Sequence, residues 1–256
     1  MTSLERQLRA IRDTRRKALV PYIMGGMTPQ WTQHVEAAVH AGADAIEIGV
    51  PFSDPMIDGV VIQEAGLRAH AAGATLDTIC DELARLRVTV PLIAMTYYNV
   101  FHHYGLKRAA GRLHASGVLG AIVPDLPMEE SKEWARACAD HDVATVLMVA
   151  PSTPVERVRE IASATQGFAY ASARMAVTGQ SDGVGDGERV VQWIRAASDV
   201  PAFIGIGIST PVQAHSAATL SDGVVVGSAL IQTLLDGATP SETEAFIRSF
   251  RTALDA

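Results

Sequence analysis

Cysteine is scarce in this chain, and apolar runs long enough to cross a membrane are absent. Only two cysteines, Cys80 and Cys138, occur among 256 residues. They lie far apart and lack a CxxC spacing, so we expect two reduced thiols that serve packing. No apolar run approaches the roughly 20 residues of a membrane span, and the charged start MTSLERQLRAIRDTRRK lacks the apolar core of a signal peptide. We therefore expect a soluble, cytoplasmic protein with no membrane partner.

Basic residues are outnumbered by acidic ones. The chain has 21 Lys and Arg against 28 Asp and Glu, which gives a formal net charge of −7. This balance argues against a general binder of nucleic acid or anionic membranes. Hydrophobic residues make up 48% of the chain, enough for a substantial core. Because no linker is evident, we expect a single domain over residues 1–256.

Eight short apolar runs alternate with longer stretches of helical period. Most runs are nearly continuous, which is typical of strands buried on both faces of a parallel sheet. The predicted strands span residues 18–24, 44–50, 91–97, 120–125, 144–150, 167–173, 202–207 and 223–227. The predicted helices span residues 3–16, 31–41, 62–71, 76–86, 106–116, 129–141, 154–164, 188–198, 211–219 and the C-terminal segment 241–256. In the last of these, Ser241 and Glu244 have the spacing of a capping box.

This alternation predicts an α/β fold, a (β/α)8 TIM barrel with an extra N-terminal helix. A doubly wound open sheet is the alternative. The strand count and the even spacing favour the barrel, and no GxGxxG follows the first strand. The glycine-rich stretch TGQSDGVGDGE (178–188) is predicted to be a mobile active-site loop.

The second predicted strand carries an unusual carboxylate. Glu47 lies among apolar residues, and Asp54 and Asp58 follow on the next loop. In a barrel, functional groups gather at the carboxyl ends of the strands. Burial raises the pKa of a carboxyl group, which lets it give and take a proton near neutral pH. The structural alternatives are a buried, hydrogen-bonded Glu47, a capping role for Asp58 and a turn role for Asp54.

Other units add polar candidates at the same end of the predicted barrel. They are Tyr97, Tyr98 and Asn99 in the third unit, Asp125 in the fourth, and Tyr170, Arg174 and Thr178 in the sixth. No metal constellation stands out, since His102 and His103 are adjacent and are expected in a loop or at the surface. The three lysines are Lys17, Lys107 and Lys132. None of them ends a predicted strand, which disfavours a Schiff-base aldolase.

The last two strands end in small residues that suit an anion. FIGIGIST (203–210) carries Gly205 and Gly207 and then enters a helix, and GVVVGSAL (223–230) ends its strand at Gly227 and Ser228. Glycine allows close backbone approach, and helix N-termini attract anions. The pair predicts a phosphate site, which barrels commonly place after these two strands. The alternative is that the small residues only let strand and helix pack.

The chain resembles the tryptophan synthase alpha-subunit family over nearly its whole length. The longest shared motif is GADAIEIGVPFSDPMIDGVVIQEAGLRAHAAG (42–73). The motifs that recur in the family's order are MTYYN (95–99), IVPDLP (122–127), VAPSTP (149–154), AVTG (176–179), GIGIST (205–210) and VVVGSAL (224–230). The resemblance implies retro-aldol cleavage of indole-3-glycerol phosphate to indole and glyceraldehyde 3-phosphate, without a metal or organic cofactor. It also implies a beta-subunit partner in an alpha2-beta2 complex.

The resemblance also implies a role for individual residues. Glu47 falls on the family's general acid/base, and Asp58 on the carboxylate that accepts the indole N–H. The expected indole pocket is lined by Tyr22, Tyr97 and Ile206. Tyr170 is expected near the carboxylates, and Thr178 is expected to close the site and orient Asp58. The expected phosphate cradle consists of Gly179, Gly207, Gly227 and Ser228.

Three short segments depart from the family pattern. Gly26-Met27-Thr28-Pro29 replaces a Gly-Asp-Pro, Val60 replaces a proline after Asp58-Gly59, and Ala176 replaces a glycine before Val177-Thr178-Gly179. All three belong to the face that, in the family, meets the beta subunit. Three hypotheses are therefore open: an alpha subunit that acts with a beta partner, a stand-alone lyase that releases indole, and a silent homologue that only activates a partner. Intact Glu47 and Asp58 argue against the third.

Overall fold

The computed structural model describes residues 1–172, 184–205 and 207–256. Eight parallel strands form a closed barrel in chain order, and the last strand pairs with the first. The strands are β1 (Ala18–Met24), β2 (Ile46–Gly49), β3 (Leu92–Met95), β4 (Val118–Ile122), β5 (Ala144–Val149), β6 (Ala169–Ser172), β7 (Ala202–Gly205) and β8 (Gly223–Val226). Each strand falls on one of the eight predicted runs, so the predicted (β/α)8 barrel is confirmed.

Helices surround the barrel. Those formed by described residues are α1 (Ser3–Asp13), α2 (Trp31–His40), α3 (Val60–Ala71), α4 (Leu76–Leu83), α5 (Tyr98–Tyr104), α6 (Leu106–Ala115), α7 (Lys132–Ala139), α8 (Val155–Ala164), α9 (Val184–Ala197), α10 (Pro211–Leu220), α11 (Ser228–Leu235) and α12 (Pro240–Leu254). In this part of the chain, no helix combines the length and the apolar character that spanning a membrane requires.

Strand residues alternate between the barrel interior and the shell of helices. On β2, Ile46 and Ile48 pack outward into the main hydrophobic cluster, whereas Ala45, just before the strand, packs into the smaller interior cluster. Phe168 and Phe203 stack inside the barrel with ring centroids 4.5 Å apart. Both layers are apolar, which explains why the strands read as nearly continuous apolar runs. The alternation also turns Glu47 toward the interior.

Helix α1 closes the amino-terminal end of the barrel. Leu4 and Leu8 are fully buried in the interior cluster. An added Cβ at Gly120 would lie 2.5 Å from Leu4 Cδ2, and one at Gly167 would lie 2.7 Å from it. These two glycines therefore make room for Leu4. The extra N-terminal helix is confirmed, and its apolar face seals the end of the barrel opposite the predicted site.

The structure differs from the sequence predictions at two helices. The segment Tyr98–Tyr104 forms helix α5, which the sequence did not indicate. The capping box of α12 is formed by Thr239 and Glu242 rather than by Ser241 and Glu244. Pro240 suits the first helical position, because its missing N–H is not needed there, so the cap falls at the residue before it.

The predicted glycine-rich loop is shorter than expected. Helix α9 begins at Val184, so residues 184–188 are helical rather than part of a loop. Its first turn is supported by an ion pair between Arg189 and Asp186, with Nη2 and Oδ1 3.0 Å apart. The rest of the predicted loop, residues 178–183, lies outside the described residues.

Candidate active site

Glu47 lies inside the barrel near the carboxyl end of β2. It pairs in register with Tyr22 of β1, and only 1% of its surface is exposed. Among the described residues, its Oε2 atom has no hydrogen-bond partner. Burial, together with the nearby charge of Asp58, raises the pKa of Glu47 to about 8. The carboxyl group is therefore neutral at neutral pH and can both donate and accept a proton there.

Asp58 lies on the loop between β2 and α3, at the mouth of the barrel. The chain leaves β2 through Pro51 and Pro55, and Gly59 is the N-cap residue of α3. Gln63 Nε2 donates to the Asp58 carbonyl oxygen at 2.8 Å and so fixes the end of the loop. Partial burial raises the pKa of Asp58, and a hydrogen bond from Tyr97 opposes that rise. The two carboxyl groups thus have different surroundings, which suits different roles.

Tyr97 joins the end of β3 to the loop that carries Asp58. Its hydroxyl oxygen accepts hydrogen bonds from the backbone N–H groups of Ile57 at 2.9 Å and Asp58 at 3.2 Å. Its ring stacks on Phe52 with centroids 5.1 Å apart. Burial raises the pKa of Tyr97 to about 12, so the phenol stays protonated. Tyr97 therefore contacts both the loop backbone and the predicted indole pocket.

Tyr22 and Tyr170 approach Glu47 from other strands. Burial raises the pKa of both phenols, and the charge of Glu47 contributes to each rise. An added Cβ at Gly49 would lie 2.1 Å from the Tyr22 hydroxyl, and one at Gly205 would lie 2.1 Å from the Tyr170 hydroxyl. The two glycines thus leave space at the strand ends for the tyrosine hydroxyls, which brings Tyr22 and Tyr170 together with Glu47.

An apolar pocket opens beside Asp58 and Tyr97. Its lining consists of Tyr22, Met24, Val50, Phe52, Pro55, Asp58, Ile62, Gly66, Met95, Thr96, Tyr97 and Pro124. A pocket of aromatic and aliphatic walls with a few polar groups suits a flat aromatic ligand. Phe52 and Met95 were not predicted as site residues, although Phe52 lies within the longest shared motif and Met95 ends β3.

The predicted anion site combines a strand end with an uncapped helix. Gly207 has φ +94°, a conformation that favours glycine, and it is exposed after β7. Helix α11 begins at Ser228, and its N-cap residue Gly227 makes no side-chain cap. By contrast, Thr210 and Gln213 cap α10 with a reciprocal pair of hydrogen bonds. The N–H groups without a side-chain cap are therefore at the start of α11. This helix follows β8, the neighbour of β7, and its N–H groups can bind a phosphate.

Several other candidates have local structural roles. Asp125 accepts a hydrogen bond from the Tyr98 backbone N–H at 2.8 Å, so it caps α5. Asp54 accepts a hydrogen bond from the neighbouring Ser53 hydroxyl at 2.6 Å, in keeping with a turn role. Asn99 is exposed.

The remaining predictions concern histidines, cysteines and metal ligands. His102 and His103 are exposed, as predicted, but they lie on helix α5. Cys80 and Cys138 are free and buried. Within the described residues, no group of three His, Cys, Asp or Glu side chains could hold a metal ion. Four predicted residues lie outside the described residues: Arg174, Thr178, Gly179 and Ile206.

The fold and the site together define a class of protein. A closed (β/α)8 barrel with titratable groups at the carboxyl ends of its strands, and a candidate anion site after β7 and β8, is the architecture of a barrel enzyme. The family model described as tryptophan synthase alpha chain matches residues 8–252. The chain therefore belongs to the tryptophan synthase alpha chain family.

Individual relatives match nearly the whole chain. The tryptophan synthase alpha chain of Picosynechococcus sp. is 38% identical over 257 residues, which cover 98% of this chain and 97% of that protein. The Geobacter sulfurreducens tryptophan synthase alpha chain is 40% identical over 250 residues, covering 95% and 94% respectively. Among crystal structures, ligand-free tryptophan synthase from M. tuberculosis matches with a TM-score of 0.91, 30% identity and 100% coverage of both chains. Tryptophan synthase subunit alpha from Legionella pneumophila matches with a TM-score of 0.90, 31% identity, and coverage of 100% of this chain and 99% of that one.

Proposed function

We propose that this chain cleaves indole-3-glycerol phosphate to indole and glyceraldehyde 3-phosphate, as the alpha subunit of tryptophan synthase. The observation that carries the proposal is the buried carboxyl group of Glu47, whose pKa is raised to about 8 beside Asp58. A retro-aldol reaction of an indole needs an acid that protonates a ring carbon and a base that then removes a hydroxyl proton. One carboxyl group with a pKa near neutrality can serve both steps in turn. We propose that residues 1–256 form one cytoplasmic catalytic domain.

The mechanism starts with proton transfer from the neutral Glu47 carboxyl to C3 of the indole ring. The ring becomes a cationic indolenine. The bond from C3 to the glycerol carbon then breaks as the hydroxyl on that carbon gives its proton to the Glu47 carboxylate. The electron pair of the broken bond restores the aromatic ring, so the products are indole and an aldehyde, and Glu47 is protonated again. No step of this reaction is assigned to a metal or an organic cofactor.

Asp58 stabilises the charge that develops on the ring. As an anion it accepts the indole N–H and lowers the energy of the cationic intermediate, most strongly in a site that excludes water. The hydrogen bond from Tyr97 favours this ionised form, because it opposes the pKa rise that burial causes. The aromatic walls around Tyr22 and Tyr97 hold the ring, and Tyr170 lies beside Glu47. We assign Ile206 to the indole pocket and Thr178 to closure of the site on the basis of the family resemblance.

The phosphate group anchors the substrate at the barrel mouth, after β7 and β8. The backbone at Gly207 and the uncapped N-terminus of α11, at Gly227 and Ser228, supply N–H donors and a favourable helix dipole. Gly179 joins this cradle by family resemblance. An added Cβ at Gly227 would lie 3.8 Å from Tyr22 Cβ, so the anion site adjoins the strand that faces Glu47. This adjacency lets one ligand reach both sites.

A partner surface lies on the same loop as Asp58. Met56, Ile57 and Val60 are 83%, 54% and 79% exposed, which is unusual for large apolar side chains close together in sequence. We propose that a tryptophan synthase beta subunit covers them in an alpha2-beta2 complex. The alternative is a stand-alone lyase, favoured by the departures at Val60 and at Gly26-Met27-Thr28-Pro29. A nucleic-acid partner is not proposed.

The experiment compares indole release from indole-3-glycerol phosphate by the wild-type chain, Glu47→Gln and Asp58→Asn, each with and without a beta subunit. Glu47→Gln should abolish turnover while it still binds glyceraldehyde 3-phosphate, because the phosphate site is separate. Asp58→Asn should lower kcat by about a hundredfold, the effect of losing one preorganised electrostatic group. Glu36→Gln, an exposed change on α2, is the matched control. Wild-type turnover that is fast alone and indifferent to the beta subunit would favour the stand-alone lyase. No cleavage with or without a beta subunit would refute both functions.

A further inference from the structure

The Tyr97 hydroxyl is placed to hold the Asp58 loop, beyond any contact that its ring makes with an indole. It accepts two hydrogen bonds from consecutive backbone N–H groups, those of Ile57 at 2.9 Å and Asp58 at 3.2 Å. A phenol hydroxyl accepts through its oxygen lone pairs and donates through one proton. Because the Tyr97 oxygen already accepts from two N–H donors, its hydroxyl proton is available to a nearby acceptor. The Asp58 carboxyl group is the acceptor that its pKa indicates, because hydrogen bonding by Tyr97 lowers that pKa against the rise that burial causes.

The Tyr97 side chain is itself fixed from several directions. Its ring is buried and stacks on Phe52 at 5.1 Å. The preceding residue is tied to the end of β2, because Thr96 Oγ1 donates to the Val50 carbonyl oxygen at 2.8 Å. The following residue is tied to the β4 loop, because the Tyr98 N–H donates to Asp125 Oδ1 at 2.8 Å. The hydroxyl therefore has a defined position, which a positioning group requires.

Among the described residues, two side chains outside the Asp58 loop hydrogen-bond to its backbone, those of Gln63 and Tyr97. Met56 and Ile57 are exposed, and Asp54 bonds only to its neighbour among the hydrogen bonds found for its side chain. Gln63 fixes the loop at the Asp58 carbonyl group, on the α3 side. The Tyr97 hydroxyl supplies the contact on the barrel side. Loss of this contact would free both the Asp58 backbone and its carboxylate.

We propose that Tyr97 is a positioning residue that holds the Asp58 loop by two backbone hydrogen bonds and directs the Asp58 carboxylate toward the indole nitrogen. This inference rests on the proposed function, since it assigns Asp58 the role of accepting the indole N–H. It differs from a pocket-lining role, which needs only the Tyr97 ring. The hydroxyl and the ring can be separated by a single substitution.

The test is Tyr97→Phe, which keeps the ring and removes the hydroxyl. Hydrogen bonds to charged groups are strong enough that kcat for indole release should fall about 10- to 100-fold. KM should change little, because the ring still lines the pocket. The acid limb of the kcat/KM profile should move to higher pH, since the Tyr97 hydrogen bond that lowers the pKa of Asp58 is gone. Tyr104→Phe is the matched control, because the Tyr104 hydroxyl bonds Asp77 on the outer surface.

A second measurement does not depend on activity. Hydrogen exchange at the Ile57 and Asp58 amides should become about tenfold faster in Tyr97→Phe and should stay unchanged in Tyr104→Phe, because exchange reports local opening. In an Asp58→Asn background, Tyr97→Phe should add little further loss of kcat, since the two residues act through one contact. Unchanged exchange, or a loss confined to KM, would overturn the positioning role. Slower turnover by Tyr97→Phe without faster exchange at the Ile57 and Asp58 amides would overturn it as well, because the loss of activity would then not come from the loop. Failure of the wild type to cleave would instead refute the proposed function, while the exchange result would still decide whether Tyr97 holds the loop.

Discussion

Burial of Glu47 has opposite consequences for activity and stability. A neutral acid in an apolar wall can protonate carbon, but its ionisation inside the fold is costly. Glu47 has an ordinary pKa of 4.5, and the folded protein raises it to about 8. Between these values the unfolded chain has lost the proton and the folded chain has kept it. The contribution of Glu47 to stability is therefore full below pH 4.5 and is lost as the pH rises toward 8.

This linkage predicts a pH-dependent stabilisation by Glu47→Gln. The amide cannot ionise, so the free energy of unfolding of the variant relative to the wild type should increase from about pH 4.5 to about pH 8. The expected total increase is on the order of 5 kcal/mol. Urea unfolding at several pH values measures it, with Glu36→Gln on the exposed face of α2 as the control. A difference that is constant across this range would show that Glu47 has no raised pKa in the folded state.

Single residues of the site differ in how far the sequence predicts them. Glu47 is visible because a carboxylate interrupts an apolar run. The positioning contact of Tyr97 is not visible, because it joins the third unit to the second through backbone N–H groups. Asp125 reads as a functional carboxylate, yet in the structure it caps α5, a helix that the sequence did not indicate. Hydrogen bonds between units that are distant in the sequence therefore decide which candidate has a catalytic role and which has a structural one.

Elements with strong local patterns are predicted well, and those fixed by tertiary contacts are not. The strands follow from apolar runs, and α12 from the buried face of Ile247, Phe250 and Leu254. Helix α5 has the sequence YNVFHHY, which is rich in aromatic and β-branched residues of modest helix propensity. Its start is set by Asp125, which lies far away in the sequence. The sequence therefore predicts the barrel itself but not this short helix at its mouth.

Helix α1 provides a test at the scale of one element. Leu4 is fully buried where α1 closes the barrel, so Leu4→Ala should lower the free energy of unfolding by about 2–5 kcal/mol through lost burial and a cavity. The site lies at the other end of the barrel, so kcat/KM for the folded variant should stay near the wild-type value. Chemical unfolding and the cleavage assay measure the two effects. Leu67→Ala, at a position that is 61% exposed, is the control. Equal stability losses for both variants would contradict the role of α1 as a closing element.

In the whole molecule, structural residues lie at the amino-terminal end of the barrel and the candidate catalytic residues lie at the other end. At the amino-terminal end, Asp44 accepts hydrogen bonds from Arg16 Nε at 2.7 Å, from Arg251 Nη1 at 2.9 Å and from the Leu19 N–H at 2.9 Å. Asp44 and Arg251 are both buried, so α12 is tied to the first two strands by a buried ion pair. Asp44 belongs to the longest family motif, but it lies before the start of β2, whereas Glu47 lies within the strand. Its position gives it a structural role, and the carboxyl ends of the strands are left for catalysis.

The catalytic end also carries exposed apolar residues, which are Met56 and Ile57 on the Asp58 loop and Val60 at the start of α3. A partner that covers them would contact the loop whose backbone Tyr97 holds. Partner binding and the placement of Asp58 would then share the segment from Met56 to Val60. The chemistry of the barrel would depend on Glu47 in a rigid strand and on Asp58 on a supported loop.

The role of Glu47 as the acid is tested most directly by kcat/KM for indole release as a function of pH, because this profile reports the pKa values of the catalytic groups in the free enzyme. Glu47 must be protonated to transfer a proton to C3, and its pKa in the free protein is about 8. We therefore expect kcat/KM to fall as the pH rises through about 8, and we expect Glu47→Gln to show no turnover at any pH. A profile that stays level well above that pH, or turnover by Glu47→Gln comparable to the wild type, would contradict the assignment of Glu47 as the acid.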